Sequence, residues 1–254
     1  MTNPVFIADP ETSVEQLAEG DSLTVSGGEA KHIQVMRLQA GEALDLVDGQ
    51  GWRAPAEVKS VDSKTVTVQI TGPASRDVTE PALVLVQALA KGGRDESAIA
   101  QATEIGVNQV VPWQSDRSIV RWLGPKAEKG VSKWQDAVRA AAKQSRRAQV
   151  PAVQSVATTK QLAKLVAEAS SRGGQVWLLH EADEARFSSH LRELSQAGEI
   201  WILVGPEGGI SPAEYEELTQ AGAIAVRLGP TVLRSGTAGV VALSVITQQL
   251  GLWD

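Results

Sequence analysis

A glycine-rich turn near the carboxyl end of the chain has the composition of a ligand-binding loop. Residues 204–210 read Val-Gly-Pro-Glu-Gly-Gly-Ile and follow an apolar segment over 200–204. Residues 211–214, Ser-Pro-Ala-Glu, form a capping box with proline at the first helical position, which predicts a helix start. Glycine lets the backbone approach a ligand closely and reach positive φ. Three glycines between a strand end and a helix start are therefore compatible with a small-molecule cradle that contains Glu207.

A second loop of this kind spans 227–237 and reads Arg-Leu-Gly-Pro-Thr-Val-Leu-Arg-Ser-Gly-Thr. It follows a predicted strand over 223–228 and precedes an apolar segment over 238–250, which we expect to be a helix capped by Thr237. Either loop alone fits a tight connection, but two in succession, the second containing Arg234, favour a binding site. The spacing matches neither the dinucleotide fingerprint nor the P-loop, and no G-x-S-x-G nucleophile elbow is present.

Regular elements must position these loops, and their pattern changes along the chain. Residues 1–72 alternate apolar and polar side chains, which predicts a small β-rich domain with strands at 43–47, 57–61 and 65–70 and a short helix within 29–38. Residues 73–81 have linker composition. From residue 82 to 254, apolar runs alternate with helical patterns, which predicts an α/β domain with a parallel sheet.

The second domain is predicted to contain strands and helices in alternation. Its predicted strands before the second loop lie at 83–88, 107–113, 176–179 and 200–204. Its predicted helices before that loop lie at 95–105, 126–147, 159–171 and 188–197.

Composition excludes several kinds of chemistry. The chain has no cysteine, so disulfides, thiolate nucleophiles and Cys-ligated metal sites are excluded. The three histidines, His32, His180 and His190, are far apart in sequence, and we expect no metal site. No leader peptide or membrane-spanning run is apparent, so we expect a cytoplasmic protein.

Positive charge is concentrated in the middle of the chain. The net charge is −6, yet residues 76–150 carry 12 basic and 8 acidic side chains, a net of +4. Such a local excess suits phosphate groups, although a solvated helix face has the same composition. Trp122 and Trp134 lie within this segment and are candidates for stacking on bases.

Both loops resemble those of the RsmE family of 16S rRNA uridine N3-methyltransferases, which belong to the SPOUT superfamily. The resemblance extends over nearly the whole chain and includes 87–92, 101–107 and 141–145, with a weaker match at 32–37. Two positions depart from the family pattern. Gly236 stands where the family usually has glutamate, and Arg146 stands where it usually has glycine.

The resemblance implies a trefoil-knotted methyltransferase domain preceded by a PUA-like β-barrel that binds RNA. It also implies a homodimer, 16S rRNA of the small ribosomal subunit as partner, and S-adenosyl-L-methionine as cofactor. The cofactor-binding residues that it implies are His180, Leu203, Gly205, Glu207, Gly208, Gly209, Leu228, Gly229, Leu233, Arg234, Thr237 and Ala238.

Methylation of uridine N3 requires removal of a proton from a weakly acidic nitrogen. Arg234 is the candidate that stabilises the resulting negative charge or grips a phosphate, and its alternative is a structural pair with a carboxylate. Glu207 is the candidate base, and its alternative is to hold loop amides or polar groups of the cofactor. Because N3 lies on the pairing edge, the base must be unpaired. The candidate RNA contacts are His32, Arg37, Lys91, Arg94, Arg117, Lys143, Arg146 and Arg147.

Three alternatives remain at the level of sequence. The first is a knotted methyltransferase that acts on another nucleotide or atom. The second is an RNA-binding or ribosome-assembly protein without activity, which the departure at Gly236 supports. The third is a (β/α)₈ barrel, which the β-rich start and the small number of strand–helix units after residue 82 disfavour.

Overall fold

The computed structural model describes residues 3–191, 194 and 198–253, and these form two units. The first unit contains the chain up to Val78 together with Ala142–Val150. The second contains Thr79–Ala141 and the chain from Pro151 onward. Both glycine-rich loops belong to the second unit.

The first unit is built on a six-stranded sheet of order β1-β3-β4-β5-β2, with β6 paired to β4. Only the pairing of β1 with β3 is parallel. The alternating residues predicted as strands are strands, and the predicted short helix is α1, so the β-rich module is confirmed. The elements are β1 Val5–Ile7, β2 Ser22–Val25, α1 Gly27–Val35, β3 Ala43–Val47, β4 Trp52–Val61, β5 Val66–Ile70 and β6 Ser75–Arg76.

The second unit contains a parallel sheet of order β10-β8-β7-β12-β11-β13, with β9 paired to β8. The α/β class and the parallel sheet are therefore confirmed. The central strands β7 and β12 contain only one polar residue each because both of their faces are covered. The strands are β7 Ala82–Ala88, β8 Gln109–Gln114, β9 Ala152–Val153, β10 Ala157–Thr158, β11 Gln175–Leu179, β12 Glu199–Val204 and β13 Ile224–Val226.

Most helix boundaries follow local signals. The fourth helix begins after Thr158, whose side chain completes a capping box, and the second ends at Gly106, where φ is +124°. Of the predicted helix over 188–197, residues 192, 193 and 195–197 lie outside the described residues. The helices are α2 Arg94–Ile105, α3 Pro125–Gln144, α4 Thr159–Ser171, α5 Phe187–His190, α6 Pro212–Gln220 and α7 Ser235–Gln249.

The third and seventh helices each differ from the predicted range by three residues at one end and by one residue at the other. Helix α3 stops three residues before the predicted 147, because Arg146 adopts a left-handed φ of 61° and Arg147 N–H bonds back to the carbonyl of Ala142. Helix α7 begins at Ser235, and Arg234 is its N-cap. The prediction that Thr237 caps this helix was therefore wrong.

The path of the chain brings α7 back to the middle of the sheet. Strand β13 lies at the edge, yet the glycine face of α7 packs on the central strands β7 and β12, where Gly239 approaches Leu85 and Val204. The trefoil knot implied by the family resemblance is compatible with this return and stays a prediction. Among the described residues, no helix has both the length and the apolar character needed to cross a membrane.

Candidate active site

Three neighbouring parallel strands place their carboxyl ends together in the second unit. Strands β12, β11 and β13 are adjacent and parallel, so the residues that follow Val204, Leu179 and Val226 leave the sheet at the same edge. The sheet order also reverses beside β7, since the chain proceeds to β8 on one side and later returns to β12 on the other. Ligands of open α/β sheets bind at such switch points.

A cavity of about 470 Å³ lies at this edge, and we call it the main cavity. Its volume falls within the roughly 300–1,000 Å³ that is typical of small-molecule sites. Apolar side chains, backbone atoms of both glycine-rich loops and four charged side chains form its walls. The lining residues are Arg94, Leu179, Glu181, Val204, Gly205, Pro206, Glu207, Gly209, Ile210, Val232, Leu233, Arg234, Ser235, Gly236 and Ala238.

A side cavity of about 120 Å³ shares part of this wall. It is formed by His180 and Arg227–Thr231, together with five residues that also line the main cavity. The ring of His180 packs edge-on against Tyr215, and its buried Nδ1 has no hydrogen-bond partner among the described residues. A buried polar atom without a partner is uncommon in native proteins, so this nitrogen is a candidate ligand contact.

The first glycine-rich loop is tightly folded. A Cβ on Gly205 would lie 2.6 Å from Cγ1 of Ile210, and Gly209 has a φ of +76°. The Gly209 N–H donates to the carbonyl of Pro206 at 2.9 Å, which closes the turn. Glycine is therefore required at these two positions for different reasons, namely close approach and positive φ.

A buried carboxylate fixes the end of this loop. Glu214 is 2% exposed, and it accepts hydrogen bonds from the backbone N–H groups of Ser211 and Asp116 at 3.0 and 2.8 Å. It also accepts from the hydroxyls of Thr159 and Ser115 at 2.8 and 3.2 Å. Burial raises the pKa of Glu214, but these four donors outweigh it and hold the pKa below its ordinary value. The predicted capping box thus also ties α6 to α4 and to the end of β8.

A second hydrogen-bond network fixes the start of α7. The Ser235 hydroxyl donates to the carbonyl of Gly205 at 2.7 Å and accepts from the side-chain amide of Gln87 at 3.0 Å. This contact links the two glycine-rich loops through the end of β7. It also explains the earlier start of α7, since Ser235 is held in the first turn by tertiary hydrogen bonds.

Charged side chains of opposite sign meet on the wall of the main cavity. Nη1 of Arg94 donates to Oε1 of Glu207 at 3.0 Å, and both side chains are partly exposed. Arg234 is exposed and forms no side-chain hydrogen bond or ion pair with any described residue. The structural alternative for Arg234, a carboxylate partner, is therefore not observed among the residues that are described.

The structure brings most of the predicted cofactor residues together. Three of them are not in the cavity walls: Leu203 is fully buried in β12, Gly208 faces Arg117, and Thr237 lies in the first turn of α7. The predicted residues that line the main or side cavity are His180, Gly205, Glu207, Gly209, Leu228, Gly229, Leu233, Arg234 and Ala238.

The predicted RNA contacts of the second unit divide into two groups. Arg94 pairs with Glu207, and Arg117 donates to the carbonyl of Gly208 at 3.1 Å, so both support the first loop. Lys91 is exposed. Trp134 is fully buried against Trp122, so stacking of Trp134 on bases is excluded.

Among the candidate RNA contacts of the first unit, Lys143 and Arg147 are partly enclosed, whereas Arg146 is exposed. Lys143 pairs with Glu29 at 2.7 Å, and both side chains are less than one-fifth exposed. Burial lowers the pKa of Arg147 to about 10, although Asp77 opposes this shift. The carbonyl of Arg146 accepts a hydrogen bond from Arg53 at 2.7 Å.

The two remaining candidates lie in or after α1. His32 is half-buried and packs edge-on against Phe6, whereas Arg37 is exposed with a φ of 59°. Arg37 thus presents its side chain to solvent more fully than His32.

Sequence reasoning missed several residues that shape the site. Gln87 is the only polar residue in an otherwise apolar strand. A polar side chain at a buried strand position could have indicated its role in the site. The carboxylate of Glu214 was identified only as a helix cap, and its three partners outside α6 carry no local signal. Among the described residues, no group of three or more His, Asp or Glu side chains is placed to hold a metal ion.

Comparisons with known proteins agree with this geometry. A family model described as an RNA methyltransferase domain matches residues 78–247, and one described as an RNA methyltransferase PUA domain matches residues 25–71. The curated ribosomal RNA small subunit methyltransferase E of Mycobacterium bovis is 40% identical over 236 residues, which cover 92% of this chain and 89% of that protein. The Bacillus subtilis protein of the same name is 31% identical over 154 residues, 60% of each chain.

Solved structures show the same fold over the full length. The small subunit methyltransferase E of Neisseria gonorrhoeae, bound to S-adenosyl methionine, superposes with a TM-score of 0.80 at 25% identity and covers 97% of both chains. A Legionella pneumophila structure in complex with the same cofactor gives a TM-score of 0.80 at 26% identity and covers 98% of both. The chain therefore belongs to the RsmE family of small-subunit ribosomal RNA methyltransferases.

Proposed function

We propose that this protein transfers a methyl group from S-adenosyl-L-methionine to N3 of a uridine in 16S rRNA of the small ribosomal subunit. The observation that carries the proposal is the main cavity, which both glycine-rich loops line at the switch point of the parallel sheet. The relatives that share this fold over nearly their whole length carry that cofactor or are named for that substrate.

The residues present fit this cofactor. Apolar surface for the adenine ring of the cofactor comes from Val204, Ile210 and Leu233. The carboxylates of Glu181 and Glu207 suit the positively charged sulfonium and amino groups of the cofactor. The first loop is closely packed at this cavity, because a Cβ at Gly205 would collide with Ile210. The backbone around residues 203–209, 228–229 and 233–238 would hold the cofactor. When bound, S-adenosylmethionine supplies an electrophilic methyl group.

The protein's own part is to orient the uridine and to manage its N3 proton. Arg234 lines the cavity with no described partner, so its guanidinium is available to stabilise negative charge on the uracil ring. Glu207 has one oxygen engaged by Arg94, so it would accept the proton through the other oxygen. Arg94 is then a positioning residue that fixes the orientation of Glu207.

Activity and cofactor binding test the proposal directly. Calorimetric titration of the protein with S-adenosylmethionine is expected to give saturable binding to one site per chain. Incubation with 30S subunits from a strain that lacks this methyl group is expected to add one methyl to a single uridine, detected by mass spectrometry of the rRNA digest. Absence of cofactor binding, or a methyl group on another atom, would contradict the proposal.

The role of Arg234 is tested separately. Arg234→Ala is expected to lower kcat at least tenfold while the Kd for the cofactor changes less than threefold, because charge stabilisation acts in the transition state. Arg172→Ala is the matched control, since Arg172 is also an exposed arginine of the second unit but pairs with Glu199 outside the cavity. Unchanged turnover of the Arg234 variant would remove this residue from catalysis.

We also propose that the protein is a homodimer. Exposed apolar side chains lie in the second unit, and two of them, Val232 and Val245, belong to the loop before α7 and to α7 itself. Light scattering after size-exclusion chromatography is expected to give twice the mass of one chain. A monomer mass across the concentrations used in the methylation assay would refute the dimer.

A further inference from the structure

Two arginines lie side by side at the edge of the parallel sheet. Arg186 and Arg227 are directly opposed in a parallel bridge, in which the Phe187 N–H donates to the carbonyl of Arg227 at 3.0 Å. The Arg227 N–H donates in turn to the carbonyl of Ala185 at 2.7 Å. Opposed residues on adjacent extended segments direct their side chains to the same face. The backbone therefore places the two arginine side chains next to each other.

These arginines line a cavity of about 400 Å³, which we call the arginine cavity. Its other described walls are Ser188 and the turn Leu228–Pro230, and none of the described residues that line it is acidic. Neither guanidinium forms a hydrogen bond or an ion pair with any residue that the structure describes. Like charges at opposed positions of neighbouring strands repel each other, so this arrangement is unfavourable until an anion lies between them.

The positive charges of three other arginines are neutralised by carboxylates among the described residues. Each has a carboxylate within 3.1 Å, so its charge is neutralised by the fold itself. These pairs are Arg53 with Asp45 and Asp77, Arg94 with Glu207, and Arg172 with Glu199. The arginine cavity differs from these pairs, since it offers two adjacent cations and a hydroxyl with no acidic partner among the described residues.

We propose that the arginine cavity binds a phosphate group of the RNA backbone next to the target uridine. The proposal rests on the proposed function. Arg227 and the turn Leu228–Pro230 also line the side cavity, so the arginine cavity lies across one loop from the cofactor region. Guanidinium groups bind phosphate oxygens in a bidentate manner, and a base withdrawn from its stack needs its backbone held.

The test compares RNA binding with cofactor binding in one variant. Arg186→Gln/Arg227→Gln removes two charges, and Arg172→Gln/Lys164→Gln removes two exposed charges elsewhere in the same unit. Filter binding of transcribed 16S rRNA over a range of salt concentrations gives the affinity and its salt dependence. The first variant is expected to bind RNA about tenfold or more weakly, with a salt slope reduced by roughly 1, because one phosphate contact is lost. The control variant is expected to retain the wild-type slope.

Cofactor titration and kinetics complete the test. The Kd for S-adenosylmethionine is expected to stay within twofold of wild type, and KM for 30S subunits is expected to rise more than kcat falls. An unchanged RNA affinity and salt slope would overturn the inference. A matching rise in the cofactor Kd would also overturn it, since the arginines would then hold the carboxylate of the cofactor.

Failure of the inference can be distinguished from failure of the proposed function. RNA binding is measured without turnover, whereas the proposed function stands or falls with methylation by the wild-type protein. Should the double variant not fold, Arg186→Gln alone, whose side chain is exposed, is expected to weaken RNA binding about threefold. Wild-type affinity of that single variant would overturn the inference.

Discussion

Replacement of Glu214 by glutamine tests how the cofactor loop is held in place. The carboxylate accepts four hydrogen bonds, two from backbone N–H groups and two from hydroxyls. Its Oε2 receives the Ser211 N–H, and its Oε1 receives the Asp116 N–H. An amide has only one oxygen. In either orientation of the substituted amide, therefore, one backbone N–H faces an NH₂ group and loses its acceptor.

The magnitude follows from two opposing effects. A buried donor without an acceptor costs about 1–3 kcal/mol, and the remaining bonds weaken because the acceptor is no longer charged. Removal of the charge relieves the desolvation of a side chain that is only 2% exposed. The lowered pKa of Glu214 shows that the hydrogen bonds win over burial in the folded protein. We therefore expect Glu214→Gln to reduce the free energy of unfolding by roughly 2 kcal/mol at pH 7.

Urea and thermal unfolding followed by tryptophan fluorescence measure this loss, since the chain contains seven tryptophans. For a chain of this size a loss of about 2 kcal/mol corresponds to a Tm lower by roughly 4–8 °C. Glu217→Gln on the same helix is the matched control, because Glu217 is exposed and undergoes the same change of charge. Equal stability of the two variants would refute the assigned role of Glu214.

The loss of stability caused by Glu214→Gln is expected to depend on pH. Because the folded pKa of Glu214 lies below its ordinary value of 4.5, the unfolded chain binds the proton more readily. The contribution of the Glu214 carboxylate to stability is complete above pH 4.5, and it is lost as the pH falls through the lower pKa of the folded protein. The difference in stability between wild type and Glu214→Gln is therefore expected to shrink below pH 4.5. Burial raises the pKa of Asp95, but Asp95 is present in both proteins, so its effect on the difference in stability cancels.

Two further substitutions test packing away from this network. Gly239→Val places a Cβ 2.7 Å from Leu85 and 3.2 Å from Val204. Urea unfolding is therefore expected to show a free energy of unfolding lower by about 1–3 kcal/mol. Wild-type stability would mean that α7 can move away from the sheet. Lys143→Met leaves the mostly buried carboxylate of Glu29 without its cation and is expected to lower the free energy of unfolding by about 1–2 kcal/mol at pH 7. Addition of Glu29→Gln should restore part of that loss, and strictly additive effects in the double variant would disprove the pairing.

Local sequence determined the elements of this protein. Apolar runs predicted β7 and β12 because strands covered on both faces contain few polar residues. The capping boxes that begin α4 and α6 depend only on residues three positions apart, so they can be read directly. The glycine-rich loops were likewise visible, and with them most of the residues that line the cavities.

The tertiary structure decided which side chains are engaged and which are available. Arg94 and Arg117 read as surface cations, yet they bind the first loop through residues more than 90 positions away. The start of α7 depends on contacts of Ser235 with Gln87 and Gly205, which no local signal contains. Likewise, Arg186 and Arg227 become neighbours only through strand pairing. Short-range backbone preferences fix helices and strands, whereas the partner of a charge is chosen by packing between distant segments.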